Sequence, residues 1–244
     1  MNVLGVILAR GGSVGLRGKH LRLLCGRPVI EYTFDHAERA GLLTRTVVST
    51  DCPNIRQLAR SRNFQTVDRP AALATANASV QDAMLHAMET VEASSDFRAD
   101  ALVVLYGNVP LRGDGVIDRA LELLGKTKCD SVRSFCTVGK WHPAWMSRLE
   151  GDRVQALVPG SIHRRQDLAP LFLHEGAVVA VSRESMLRGK ENPRDPHAFF
   201  GVDRRGVITE PGETVEIDHL RDLFLAEAIL RERGASAVPQ ARVA

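Results

Sequence analysis

The chain has 244 residues, 44% of them hydrophobic and 25% charged, with a formal net charge of +3. This is the composition of a globule with a sizeable core rather than a disordered chain, and so mild a basic excess, without a dense Lys/Arg tract, argues against nucleic acid as a partner. The four cysteines form no C-x-x-C pair, which points away from structural zinc and toward a reducing compartment, and the apolar N-terminal run stops at Arg10, too soon for a signal peptide or a membrane span; a cytoplasmic protein is expected.

Val3–Leu8 reads as a buried strand that opens into Ala9-Arg10-Gly11-Gly12-Ser13-Val14-Gly15-Leu16-Arg17-Gly18-Lys19. The glycines of this loop permit left-handed backbone and gather several N–H groups on one anion, and Arg10, Arg17 and Lys19 are placed to neutralise it. A phosphate cradle is expected, although the loop is neither G-x-G-x-x-G nor a Walker loop, since His20 follows Gly18-Lys19. Pro28 starts a helix that carries Ile30, Phe34 and Ala37 inward and stops at Gly41. Thr46–Ser49 is a second strand ending at Thr50-Asp51, and Asp51 is read as a structural cap before the helix that opens at Pro53.

Arg69-Pro70 and the small residues Leu73–Ser79 form a loop against which a flat base can lie, with Arg69 offering directed donors. A loop that merely caps the next helix through Asn77 or Ser79 is the alternative. A helical pattern covers Ser79–Glu92, Ala101–Leu105 is a strand of the fully buried kind, and Tyr106–Arg112 leads to a helix over Asp114–Leu124. From Val138 to Leu173 the rhythm breaks: Trp141, His142, Trp145, His163 and Arg164-Arg165-Gln166-Asp167 lie in an excursion read as a lid, or as an arm reaching a partner subunit. Its arginine forks suit a carboxylate or phosphate, a solvated charged arm being the alternative, and both tryptophans are read as packing residues. Ala177–Val181 returns to the core, and Thr214–Ile217 leads to a last helix over His219–Arg233.

The alternation predicts an α/β protein, a mixed sheet flanked by helices, with one domain over residues 1–233, the arm at about 139–175 and a flexible tail over 234–244. Ligands of such sheets bind beyond the carboxyl ends of the strands, where the glycine loop, Asp51, Tyr106–Arg112 and Glu216-Ile217-Asp218 all fall. In an extended segment Glu216 and Asp218 share a side, as suits magnesium, which takes one or two carboxylates plus phosphate oxygens. The alternative makes Asp218 an N-cap of the last helix and Glu216 a solvated residue.

Together these motifs resemble the acylneuraminate cytidylyltransferase family, the CMP-sialic acid synthetases, from Val3 to about Arg231. The loop Ala9–Lys19, Val47-Val48-Ser49-Thr50-Asp51, Arg69–Thr75, Pro110-Leu111-Arg112, Arg164–Leu168, Gly176-Ala177 and Glu216-Ile217-Asp218 follow the family's order. The resemblance implies a nucleotide-diphosphosugar transferase-like, Rossmann-like fold with a protruding arm that builds a homodimer. It also implies magnesium-dependent transfer of CMP from CTP to the anomeric hydroxyl of a keto sugar acid. By position, Arg10, Lys19 and Asp218 would be catalytic; Ala9, Arg10, Gly11, Gly12, Ser13, Lys19, Arg69 and Ala78 would hold the nucleotide; Glu216 and Asp218 would hold the metal. Tyr106, Asn108, Arg164, Arg165, Gln166 and Glu175 would face the sugar acid. Tyr106-Gly107-Asn108-Val109 stands where the family shows Q-P-T-S, Glu175 where it shows asparagine, His20 where it shows asparagine and Val80 where it shows serine. The phosphate and metal motifs are kept while the sugar-facing loop is rewritten, the pattern of a variant branch. A change of nucleotide to GTP, or a non-catalytic paralogue that only binds, are the alternatives that these departures leave open.

Overall fold

The structure, a computed structural model, describes residues 1–12, 15–160, 164–192 and 194–236. In chain order its elements are β1 (Val3–Leu8), the short ribbon β2 (Leu23–Leu24) and β3 (Arg27–Pro28), α1 (Val29–Arg39), β4 (Arg45–Thr50), α2 (Pro53–Ser61), β5 (Gln65–Asp68), α3 (Val80–Ala93), β6 (Ala101–Tyr106), α4 (Val116–Thr127) and β7 (Ser131–Thr137). The hairpin β8 (Ser147–Glu150) and β9 (Arg153–Ala156) follows, then β10 (Phe172–Ser182), α5 (Arg183–Lys190), β11 (Arg204–Ile208) and α6 (Leu220–Ser236). Seven strands form one sheet in the order β11–β7–β10–β6–β1–β4–β5. It is mixed: β10 runs antiparallel to β6 and β7, and the remaining neighbours are parallel. The expected α/β architecture, with helices on both faces, is the observed one.

Strand period explains how the apolar runs build two cores. Along β6, Ala101, Val103 and Leu105 point into one core with Ile30 and Phe34 of α1 and Leu121 of α4. Leu102 and Val104 point into the other with Met84 and Met88 of α3. A strand buried on both faces has no polar positions to spare, which is why this segment was legible as an unbroken run. A third cluster, with Leu24, Leu111, Ile217, Leu223 and Ala226, packs α6 beneath the glycine loop.

The boundaries differ from expectation in several places. Pro28 is the N-cap of α1 rather than its first residue, α4 starts at Val116, and α6 starts at Leu220. α6 runs to Ser236, three residues past the expected end at Arg233; 237–244, the rest of the expected tail, lie outside the described residues. Thr214–Ile217 is no strand but makes a single bridge, Val215 to Leu111. β5, β7, β11 and α5 carry no clean sequence signal. β11 is an edge strand that opens on two arginines, the usual device for blunting an edge, and the adjacent pair Arg204-Arg205 followed by Gly206 hides its period.

The excursion leaves the sheet after β7 and rejoins it at Phe172, where β10 begins pairing with β7, so the last residues of the expected arm at 139–175 are strand. Its hairpin pairs Leu149 with Val154, and each is 70% exposed. Trp141, 65% exposed, and Trp145 face outward rather than packing in this chain's core, against expectation. No helix among the described residues is long and apolar enough to cross a membrane.

Candidate active site

The glycine loop leaves the C-terminal edge of β1 and is braced from below. The Gly11 N–H donates to Asp51 Oδ1 at 2.7 Å, and the Ala9 N–H donates to the Ser49 carbonyl at 3.1 Å. Asp51 therefore shapes the loop and makes no side-chain cap on α2, a correction to its expected role. Arg10 donates to the Thr75 carbonyl, which ties the loop to the small-residue segment across the cleft. Gly18 has a positive φ (+65°). Gly15 is required by contact: a Cβ there would lie 2.4 Å from the Asp218 carbonyl oxygen. Ser13 lies outside the described residues.

The loop thus abuts the segment that carries the two carboxylates. Lys19 Nζ donates to Asp218 Oδ1 at 2.7 Å. The Asn108 amide donates to Glu216 Oε1 (3.1 Å), the Ile217 carbonyl (3.1 Å) and Asp218 Oδ1 (3.4 Å). One amide nitrogen spans both side chains, so Glu216 and Asp218 converge as their spacing predicts. Burial, together with the neighbouring Asp218 charge, raises the Glu216 carboxyl above its ordinary pKa, while Asn108, Lys19 and Arg112 hold it down. Capping of α6 falls to Asp222, whose Oδ2 accepts from the Asp218 and His219 N–H groups at 2.9 and 2.7 Å. The Asp218 side chain is thereby free of the capping duty that was its alternative.

Two neighbouring carboxylates at the mouth of a phosphate-type loop are hard oxygen donors of the kind magnesium takes. Among the described residues there is no group of three or more His, Cys, Asp or Glu able to hold a metal. The pair therefore fits an ion that completes its shell with substrate phosphate and water, not one held in an all-protein cage.

Beside the carboxylates lies a cavity of about 250 Å³ lined by Arg10, Lys19, His20, Arg69, Ala78, Tyr106, Asn108 and Glu216, among others. Arg69 is fixed at its back wall, Nε donating to Ser49 Oγ (3.0 Å) and Nη2 to the Ser49 carbonyl (2.8 Å). Burial lowers its pKa to about 10, and it stays cationic at neutral pH. Ala78 lies on the opposite lip, where Ser79 caps α3 by accepting from the Asp82 N–H at 3.0 Å. The capping alternative for Ser79 therefore holds together with Ala78 lining the cavity. His20 is buried in the floor, and desolvation, helped by the Lys19 charge, depresses its pKa to about 3, so it is a neutral imidazole. This packing favours glycine at Gly107, because a Cβ would sit tightly at 3.0 Å from His20 Cδ2 and 3.1 Å from Ala9 Cβ. Burial, with the nearby Glu216, pushes the Tyr106 phenol to about 12, so it remains protonated.

The remaining expected sugar-facing residues are not gathered here. Arg164 and Gln166 are exposed in the arm, where Arg165–Asp167 form a short turn, and they line neither this cavity nor its neighbour. Glu175 lies at the β10 irregularity with its Oε1 buried and unpartnered. Its charge bears on Arg112 and Cys136.

Arg112 is the residue whose role the sequence concealed. Its guanidinium is fully buried and donates to the Ala177 carbonyl (2.9 Å), Thr33 Oγ1 (3.1 Å), the Val109 carbonyl (2.5 Å) and the Tyr106 carbonyl (2.8 Å). Burial drops its pKa to about 9, still cationic at neutral pH. It pins the turn after β6 and so positions Asn108. The P-L-R motif marked it, but only the fold shows that it serves backbone carbonyls.

A family model described as cytidylyltransferase matches residues 4–187. An N-acylneuraminate cytidylyltransferase of Streptococcus agalactiae serotype V is 32% identical over 194 residues, covering 78% of this chain and 46% of that one. The chain thus spans about half the length of this relative. A CMP-N,N'-diacetyllegionaminic acid synthase of Legionella pneumophila is 24% identical and matches nearly end to end, covering 94% of this chain and 97% of the other. A solved CMP:2-keto-3-deoxy-manno-octonic acid synthetase complexed with CTP superposes with a TM-score of 0.73 at 19% identity, over 96% of this chain and 100% of that one, and shows the same fold.

Proposed function

The chain belongs to the cytidylyltransferase family, and from that premise we propose that it transfers CMP from CTP to the anomeric hydroxyl of a keto sugar acid, releasing pyrophosphate. The observation that carries this reading is the convergence of Lys19, Asn108, Glu216 and Asp218 at the end of the glycine loop, on the rim of the cavity that Arg69 and Ala78 line. The likeness to an N-acylneuraminate cytidylyltransferase and to a CMP-N,N'-diacetyllegionaminic acid synthase supports the same chemistry.

In this reading the base lies between Arg69 and the Ala78 segment, and the triphosphate lies along the glycine loop. An ammonium has three donors, so the Lys19–Asp218 pair leaves two for phosphate oxygens, and Arg10 adds a second cation at the same wall. Glu216 and Asp218 would hold a magnesium ion, which supplies charge neutralisation at the phosphates when bound. The protein's work is positioning and electrostatic preorganisation: Asn108 fixes both carboxylates, Arg112 fixes Asn108, and Asp51 fixes the loop. Arg164, Arg165 and Gln166 reach an acceptor through the arm, in a homodimer whose arms exchange.

Pyrophosphate release with CTP, magnesium and a panel of eight- and nine-carbon keto sugar acids tests the proposal, with GTP in parallel. Release with CTP and one acid is the expected result. Release with GTP alone would move the assignment to another nucleotide, and CTP binding without turnover on any acid would reduce the protein to a binder.

A further inference from the structure

Beyond Tyr106 and Val80, which form a wall common to both, lies a second cavity of about 250 Å³ lined also by Arg133, His174, His197 and Phe200. Its chemistry is one-sided. The Arg133 guanidinium sits 4.5 Å from the Phe200 ring centroid and 5.2 Å from that of Phe135, so two aromatic faces fix its plane. Its Nε is buried without a hydrogen-bond partner. Of the groups that bear on Arg133, the Arg204 guanidinium is a like charge and the Tyr106 phenol is neutral, with no carboxylate among them. Arg204 itself lies over the Phe200 ring, and His197 stacks on that ring at 5.5 Å. His174 Nδ1 lies 3.1 Å from the Ser134 carbonyl, which fixes Nδ1–H as donor and leaves Nε2 as an acceptor for a hydroxyl.

Elsewhere buried and half-buried arginines are satisfied either by a carboxylate, as Arg183 is by Glu92 and Arg62 by Asp35, or by neutral oxygens, as Arg45 is by Gln65 and Arg69 by Ser49; the Arg133 Nε has neither. A half-buried cation without a counter-charge loses part of its hydration with nothing in return, and a cavity that presents one beside a reaction site suits an anion that arrives with the ligand. We propose that this second cavity is part of the acceptor site and that Arg133 is its specificity-determining residue, receiving a carboxylate of the acceptor. The inference rests on the sugar-acid reading above and deepens it by naming the residue that selects an acid over a neutral polyol. β7 supplies it: Arg133 and Phe135 share the face that looks toward Phe199 and Phe200, while Val132 on the other face enters the opposite core.

The test is calorimetric binding of each keto sugar acid of the panel, and of its methyl ester, to the full chain and to the Arg133→Met and Arg133→Lys variants, with CTP binding measured on all three proteins. The wild type is expected to favour the acid over the ester by roughly tenfold or more, the increment of a charge-assisted hydrogen bond. Arg133→Met should erase that ratio, Arg133→Lys should restore part of it, and CTP affinity should stay unchanged in both. An acid–ester ratio that is the same in Arg133→Met as in the wild type would overturn the assignment and leave the transferase reading intact. A wild type that binds CTP but no acid would overturn it as well, while loss of CTP binding by the wild type would count against the nucleotidyl-transfer reading instead. Misfolding of Arg133→Met would show as lost CTP binding in that variant alone, in which case Arg133→Lys and Arg133→Gln carry the comparison.

Discussion

The rim of the sheet and the arm at 139–175 are built on opposite terms. At the rim the charged groups are held by other protein groups: Lys19 by Asp218, Arg69 by Ser49, Arg112 by four oxygen atoms, Asp51 by the Gly11 amide. In the arm the hairpin residues are exposed throughout, and large apolar side chains point away from the sheet. Preorganised charge belongs where phosphate chemistry is proposed, because dipoles already aimed cost nothing at the moment of reaction. Exposed apolar surface does nothing for chemistry, and it marks a contact surface when contiguous. Substitutions at the rim should therefore cost stability or turnover steeply, whereas substitutions in the arm's exposed hairpin should leave the stability of the single chain untouched and change association.

The largest effect is expected at Arg112. Replacing it with Met strips several buried carbonyl and hydroxyl acceptors of their donor, at a cost of about 3–5 kcal/mol in urea unfolding. A loss below about 1 kcal/mol would mean that the turn holds itself and that Arg112 is not its anchor. Next comes Asp218→Ala. Its side chain is half exposed and its pair with Lys19 is worth about 0–1 kcal/mol, so melting should hardly move while turnover falls by about 10²–10³. Retained turnover would remove Asp218 from the reaction. Gly15→Ala should lower turnover by a comparable factor without touching a charge, because its Cβ would meet the Asp218 carbonyl at 2.4 Å and push loop and carboxylates apart.

A smaller effect is tied to pH. His20 has a folded pKa of about 3 against 6.5 for the free side chain, so below pH 6.5 the unfolded chain takes up a proton that the folded one refuses. Stability is thus complete above about pH 6.5 and is lost as pH falls toward 3, by about 2 kcal/mol from this residue at pH 5. His20→Asn should flatten that acid-side loss in urea titrations at about pH 7.5 and pH 5. His36, also lowered to about 3 by burial and by Arg112, remains in both proteins, so the difference isolates His20. An equal loss in both would mean that His20 is solvated.

What could be read in advance follows the same division between short-range and long-range information. β1, β4 and β6 were legible because a strand buried on two faces needs an unbroken apolar run. The convergence of Glu216 and Asp218 was legible because residues two apart in extended backbone share a side, even where no strand forms. β7 and β11 were not, since Arg133 and Arg204 sit on aromatic rings and look solvent-facing in sequence. Nor could local pattern reveal that Asp51 reaches Gly11, or that Asn108 spans two carboxylates, because those partners are brought together only by the sheet order. Gly15 was read as a source of backbone freedom, but its need comes from a neighbour more than two hundred positions away in the chain.

The smallest stability effect sharpens the contrast most. Leu149 and Val154 face each other across β8 and β9 and are each 70% exposed, so the pair Leu149→Lys with Val154→Lys removes almost no burial within the chain. Unfolding free energy measured on the monomeric species should shift by less than about 0.5 kcal/mol. If arms pair two copies, the same change places four ammonium groups at one apolar contact, and light scattering should report a shift from dimer to monomer. Lysine at Val202, 94% exposed and outside the arm, serves as the control that leaves mass unchanged. A dimer that survives the arm substitutions would place its interface elsewhere, and it would leave Arg164 and Gln166 as the solvated polar groups that they are in the single chain.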